Sequence, residues 1–266
     1  MNLLKYRGDP AVWKVPISFI NERVNLENSK VLDIGFGTGG FSLALALQKS
    51  VLTNLDISIY RINLMHDNIG LYKVNNIHPL CASAVTLPYK ENTFDLIILN
   101  GVLEYTAIGQ KGDPRKTHIN VLKYVRNLLR PRGLFYFGIE NRYYLKYLLG
   151  YKPHKEMRFS NVLPRFLSKY LSKKLMKSEF RNYIYSFNEY FKLLREAGFN
   201  DLEFFTALPN YKFPEYIIPI EEVDSIKDKI MKTNTKKLYK YVGYALAHSN
   251  YLYKKIGPDF VILSKV

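Results

Sequence analysis

The chain has 266 residues, 47% hydrophobic and 23% charged, which excludes a disordered or collagen-like protein and suffices to bury a substantial core. Its single cysteine, Cys81, excludes an intrachain disulfide and a cysteine-built zinc site and fits a reducing compartment. The formal net charge is +16, and residues 142–181 concentrate it, with 11 Lys and Arg opposed only by Glu156 and Glu179.

Such a focus suits an anionic partner (nucleic acid, an acidic membrane surface or a phosphorylated substrate) or a lysine-rich surface that serves solubility. The start, MNLLKYRGDP, lacks the apolar core of a signal peptide, and no apolar run approaches the ~20 residues of a membrane span. A cytoplasmic protein is expected, with a peripheral place at the membrane as its extension.

From Lys30 onward, short β-branched runs alternate with longer helical stretches. VLDIG (31–35), VLTNLD (51–56), HPLCAS (78–83), FDLIILN (94–100) and LFYFGIE (134–140) read as strands. Between them FSLALALQ (41–48), SIYRINLMHDNIGLY (58–72) and THINVLKYVRNLL (117–129) read as helices. This rhythm predicts parallel strands joined by right-handed crossovers. Arg130-Pro131-Arg132-Gly133 reads as the turn that ends the last of these helices.

After Glu140 the rhythm breaks into a basic, aromatic stretch. There Leu163, Phe166, Leu167, Tyr170 and Leu171 fall on one helical face, expected to pack onto the sheet, with an anionic membrane as the alternative. A helix at 186–199 follows, with Ser186 and Glu189 spaced as a capping box. Next come a strand at 201–208, the proline-stiffened LPNYKFPEYIIPI, a helical stretch at about 222–254 and a last strand at 259–266. The reading is one domain over 1–266: a cofactor half at 30–140, a basic helical insertion or lid at 141–180, core at 181–208, a helical insertion at 209–256 and the last strand at 257–266.

The segment VLDIGFGTGGFS joins the first strand to its helix. Gly35, Gly37 and Gly39 permit tight turns and close backbone approach at a helix N-terminus. Gly35-x-Gly37-x-x-Gly40 also satisfies the dinucleotide fingerprint, so the glycines alone leave the cofactor open. Asp33 narrows it. A carboxylate before the first glycine repels a pyrophosphate and suits a ligand carrying an ammonium and a sulfonium. Asp56, ending the second strand, is placed to accept both hydroxyls of a ribose.

At these residues the sequence resembles the class I S-adenosylmethionine-dependent methyltransferases, of the type 11 kind. The resemblance covers residues 30–140 and rests on VLDIGFGTGG, LDIS, LPYKENTFDLIILNGVLEY and LLRPRGLFYFGIEN. It implies an open, doubly wound, mostly parallel seven-stranded sheet, Rossmann-like, with a last antiparallel strand and two largely helical insertions. It implies S-adenosylmethionine as cofactor, with Asp33 and the glycines around the methionine part, Asp56 on the ribose, Ile57 flanking the adenine and the segment from Asn100 along the ligand. The acidic residue often found after the third strand is Ser83 here, followed by Ala84.

Methyl transfer asks for alignment and water exclusion, and for a general base when the acceptor is an alcohol. No metal is expected, because the five histidines are scattered. Ligands of such sheets sit at the carboxyl ends of the strands, so residues after strands four and five face the reaction. Glu104 reads as a base or a helix-dipole partner, and His154 as a base or a solvated side chain. Glu140, Asn141 and Arg142 read as equipment for sugar hydroxyls or a phosphate, or as a structural ion pair pinning the insertion.

Tyr143, Tyr144, Tyr147 and Tyr151 read as a stacking surface for a sugar or as core. The catalytic candidates are thus His154, Glu104 and Glu140, and the acceptor-binding candidates Asn141, Arg142, Tyr143 and Arg158. The tracts from IENRYYLKYLLGYKPH to LPNYKFPEYIIPI look like a bacterial and archaeal methyltransferase group linked to cell-surface glycan assembly. That resemblance implies a saccharide or glycolipid acceptor. RNA methylation and a non-catalytic scaffold of a glycan-assembly complex are the alternatives. The acceptor atom and the oligomeric state are not readable from the sequence.

Overall fold

The computed structural model describes residues 8–87, 89–153, 156–233, 240, 243–245 and 247–266. A 3-10 turn, Pro10–Trp13, capped by Asp9, leads into α1 (Lys14–Asn21). Five strands follow: β1 (Lys30–Ile34), β2 (Val51–Asp56), β3 (Ile77–Cys81), β4 (Phe94–Asn100) and β5 (Leu129–Ile139). They are linked by α2 (Gly40–Ala46), α3 (Ile59–Tyr72) and α4 (Pro114–Leu128). Asp113 caps α4 and Pro114 occupies its first turn, a pairing that pre-sets helical backbone.

Beyond β5 come α5 (Leu145–Leu148), α6 (Arg165–Met176), α7 (Phe187–Glu196), β6 (Glu203–Leu208), β7 (Tyr216–Pro219), α8 (Val223–Lys232), α9 (Asn250–Ile256) and β8 (Phe260–Lys265). The Ser186–Glu189 capping box forms in both directions.

All eight strands join one sheet in the order β3-β2-β1-β4-β5-β8-β6-β7. β1 to β5 pair in parallel, and β8 inserts antiparallel between β5 and β6. Side-chain alternation along the strands feeds two cores. Phe135 and Phe137 face the cluster that contains α4 and α7, whereas Leu134 and Tyr136 face the one that contains α1 and α2.

Three features depart from the sequence reading. An eighth strand, β7, rises from the proline-stiffened tract of the insertion expected to be largely helical and pairs antiparallel with β6. It is an edge strand, where a proline such as Pro219 removes no needed donor. β5 begins at Leu129, so Arg130–Gly133 is an irregular strand start, with a register shift opposite Phe94 and Leu96.

The third departure is α6, which turns the other way. Its buried residues are Ser168 and Ser172, while Phe166 is 74% and Tyr170 61% exposed. Small serines permit close approach of the helix backbone, and Ser168 Oγ donates to the Ser160 carbonyl at 2.8 Å. The aromatic stripe therefore faces outward.

Candidate functional site: the carboxyl ends of β1, β2, β4 and β5

The turn after β1 is built on left-handed glycines, with φ of 71° at Gly35, 63° at Gly37 and 85° at Gly39. Gly35 N–H donates to the Leu55 carbonyl at 2.6 Å, tying the turn to β2. A Cβ at Gly35 would collide with Val102, the residue just past β4, whereas one at Gly37 would meet no atom within 4 Å. The loop is packed from below and open above, the shape of a cradle.

Under it lies Asp33, buried, with Ser42 Oγ donating to Oδ2 at 2.5 Å. Burial pushes this carboxyl up to about 7; the Ser42 bond opposes the shift and the charge of Asp56 adds to it. Asp56 is buried at the end of β2, accepting from Ser58 N–H at 3.0 Å and from Arg61 Nη1 at 2.9 Å. Ile57, beside it, is 77% exposed at the rim. Ser83 and Ala84 are half-buried past β3, and Ser83 Oγ accepts from Val85 N–H at 3.3 Å.

Asn100 ends β4 opposite Gly138 of β5, and its buried Oδ1 has no hydrogen-bond partner among the described residues. A cationic amino-acid tail suits a buried carboxylate beneath an open glycine cradle, and a ribose suits a carboxylate at the end of β2. The residues present thus fit S-adenosylmethionine.

Next to this cradle the ends of β4 and β5 carry a buried polar group. Glu104, on a 3-10 turn (Leu103–Tyr105), and Glu140, just after β5, are both buried. Tyr147 Oη donates to Glu140 Oε2, and Lys212 Nζ to Oε1 at 3.3 Å. Lys146 Nζ stands 3.8 Å from Glu140 and 3.9 Å from Asp259. Burial, with the added charge of Glu140, raises the Asp259 carboxyl to about 6 against the opposing pull of Lys146 and Lys212.

Tyr211 reaches in from the loop after β6 and covers the same strand ends: a Cβ on Gly101 would strike its ring and hydroxyl. Its hydroxyl is buried without a hydrogen-bond partner among the described residues. Burial, then the charges of Glu104, Glu140 and Asp259, holds that hydroxyl protonated.

Two acceptor-binding expectations are corrected. Arg142 is buried and each nitrogen of its guanidinium donates a hydrogen bond: Nε to the Asn161 carbonyl at 2.7 Å, Nη2 to the Leu163 carbonyl at 3.0 Å and Nη1 to Glu189 at 2.8 Å. It pins the segment before α6 to α7. Asn141 Nδ2 donates to the Gly257 carbonyl at 3.0 Å, and its Oδ1 accepts from Tyr143 N–H at 3.2 Å, so it joins backbone to backbone. Tyr143 lies against the Arg142 guanidinium, 4.9 Å away, and Arg158 is exposed. His154 lies outside the described residues.

Tyr147 is core and hydrogen-bond donor at once. Lys146, Lys212, Tyr211 and Asp259 were missed by sequence reasoning. The proline-bracketed NYKFP tract was a local signal for Tyr211 and Lys212, and Asp259 carried none. Among the described residues no cluster of His, Cys, Asp and Glu could hold a metal ion, and no helix is long and apolar enough to cross a membrane.

Comparison with known proteins bears on this site. Residues 32–137 match the family of the methyltransferase domain. Over 134 residues the chain is 28% identical to a ubiquinone biosynthesis O-methyltransferase of Coxiella burnetii, covering 50% of this chain and 53% of that protein. The chain therefore spans about half the length of the curated relatives it matches.

Among solved structures it resembles a SAM-dependent methyltransferase from Methanosarcina mazei, with TM-score 0.55 and 17% identity over 93% of this chain and 96% of that one. It also resembles a Haemonchus contortus phosphoethanolamine N-methyltransferase 2 in complex with S-adenosyl-L-methionine, with TM-score 0.55 and 14% identity over 94% of this chain and 51% of that one. At such identities the likeness is one of fold.

Proposed function

We propose that this chain, whose residues 32–137 match a methyltransferase domain, uses S-adenosylmethionine to methylate a hydroxyl of a saccharide, carried on a lipid at an anionic membrane surface. When bound, the cofactor supplies a methyl carbon activated by its sulfonium. The chain holds it through the glycine cradle, Asp33 and Asp56, with Asn100 and Val102 closing the side toward β4.

The observation that carries an alcohol acceptor is the grouping of Glu104, Glu140 and Asp259 beside that cradle. A hydroxyl must shed a proton as it attacks, and the Asp259 carboxyl, raised to about 6 by burial, is suited to take it. Lys146 and Lys212 hold the carboxylate charge in place, and Tyr211, whose hydroxyl has no partner among the described residues, remains a donor that orients a sugar hydroxyl. The same buried wall keeps water from the methyl group. None of this requires a metal.

The outward face of α6 supports a lipid-borne acceptor. Phe166 and Tyr170 project there with Lys173, Lys174 and Lys177, the pattern of a helix lying on an acidic lipid surface.

The test is mass spectrometry of glycans, glycolipids and RNA from cells with and without this chain. Loss of one methyl increment from a glycan or glycolipid is the expected result. Loss from RNA alone would replace the acceptor, and cofactor binding without turnover on any fraction would favour a scaffold.

A further inference from the structure

A cavity of about 340 Å³ opens between the first turn of α4, α6 and α7, sharing no residue with the glycine cradle or the carboxylate group. Four cations line it: Arg115, Arg165, Lys169 and Lys192. The two acids that also line it are engaged elsewhere. Asp113 caps α4 by accepting from Arg115 N–H at 3.1 Å, and Glu189 accepts from Arg142 and from Ser186 N–H, each at 2.8 Å.

Arg115 pairs with Glu196 at 2.5 Å. Arg165, Lys169 and Lys192 have no carboxylate within ion-pair distance among the described residues. Arg165 Cζ lies over the Tyr183 ring, 4.2 Å from its centroid, and one of its terminal nitrogens donates to the Ile184 carbonyl. The other, Nη1, is buried with no hydrogen-bond partner among the described residues.

A buried charged donor left unmet is costly, and an anion seated in the adjoining cavity would complete it. The surroundings point the same way. His118, bonded through Nδ1 to Tyr185 Oη at 2.8 Å, is pushed down to about 3 by burial and then by the charges of Arg165 and Arg181. Four cations against two acids leave the lining of the cavity net positive.

We propose that this cavity is a binding site for a phosphate or pyrophosphate group, held by the Arg165 guanidinium and by Lys169 and Lys192. Its volume suits one such group with part of what it esterifies. A guanidinium with one free terminal nitrogen and flanking ammoniums matches the charge of a phosphate better than that of a monovalent carboxylate. The site does not rest on the methyl-transfer reading, because none of its residues belongs to that machinery.

The test is calorimetry of pyrophosphate and inorganic phosphate binding at constant ionic strength, on wild type and on Lys169→Ala/Lys192→Ala. Flotation with phosphatidic acid and phosphatidylcholine vesicles forms a second arm. Both substituted lysines are outside the core, and circular dichroism checks the fold of the variant. Saturable pyrophosphate binding, at least tenfold weaker in the variant, is expected, with S-adenosylmethionine affinity unchanged.

Flotation with phosphatidic acid that pyrophosphate displaces would identify a lipid phosphate as the source; binding of pyrophosphate with no displaceable flotation would identify a soluble ester. Either supports the site. Non-saturable binding, or equal binding by the folded variant, would overturn it. Because cofactor affinity is read separately, failure here is distinguishable from failure of the methyltransferase assignment.

Discussion

Arg61, in the first turn of α3, places Nη1 2.9 Å from Asp56 Oδ2 at the end of β2. The acid assigned to the ribose is therefore already oriented, by one cation and by the Ser58 amide. Arg61 is half-exposed and its pair is worth at most about 1 kcal/mol, so Arg61→Ala should change cofactor affinity by no more than about fivefold. Asp56→Ala leaves hydrogen-bond partners unmet and should weaken S-adenosylmethionine binding by about 1–3 kcal/mol. Calorimetry of the two variants distinguishes an acid that binds from one that merely pairs with Arg61.

Asp33 keeps its proton up to about pH 7 in the folded chain and to about pH 4 when unfolded. Between those values the folded state binds more protons, so this group lowers stability as pH rises from about 4 to about 7. A cationic ligand favours the ionised form, so cofactor affinity should rise over the upper part of that window. Asp33→Asn should flatten the affinity profile and reduce the loss of melting temperature between about pH 5 and pH 8. An unchanged affinity profile would remove Asp33 from the cofactor site.

Gly37→Val should fail twice. A β-branched residue at a φ of 63° is strained by about 1–2 kcal/mol, and its side chain fills the cradle. The melting temperature should fall moderately while cofactor affinity falls by far more than tenfold. A loss of stability with affinity intact would show that the space above Gly37 is not the binding space.

Arg142→Ala should act on the fold. It removes an ion pair and two carbonyl contacts and should cost about 2–4 kcal/mol, read by chemical denaturation. Cofactor affinity of the folded fraction should be unchanged.

For the membrane, Lys173→Glu/Lys174→Glu/Lys177→Glu should abolish flotation with phosphatidylglycerol vesicles, and Phe166→Ser/Tyr170→Ser should weaken it. Wild-type binding should decline with salt, since surface potential is screened over ~8 Å at physiological ionic strength. Cofactor affinity should not move. Tight, saturable, structure-dependent RNA binding by the wild type would contradict the saccharide reading.

The cofactor half was legible because its signals are local. Asp33, the glycines and Asp56 sit at strand ends marked by β-branched runs, and Ser186 with Glu189 announces a helix start three residues apart. The acceptor side was not, because Glu140, Lys212 and Asp259 come from segments more than 40 residues apart that only the order β5-β8-β6 brings together. Arg142 looked like a ligand for anions because a buried arginine and an exposed one read alike in sequence. For α6, periodicity located the apolar stripe, but the close approach of Ser168 and Ser172 decided which face went inward.

The most direct measurement is calorimetric titration of the wild-type chain with S-adenosylmethionine and with NAD, followed by titration of Asp56→Ala with the better ligand. One-to-one S-adenosylmethionine binding that the substitution weakens by about 1–3 kcal/mol, with no comparable NAD affinity, is the expected result. Tight NAD binding, or S-adenosylmethionine affinity indifferent to Asp56, would contradict it.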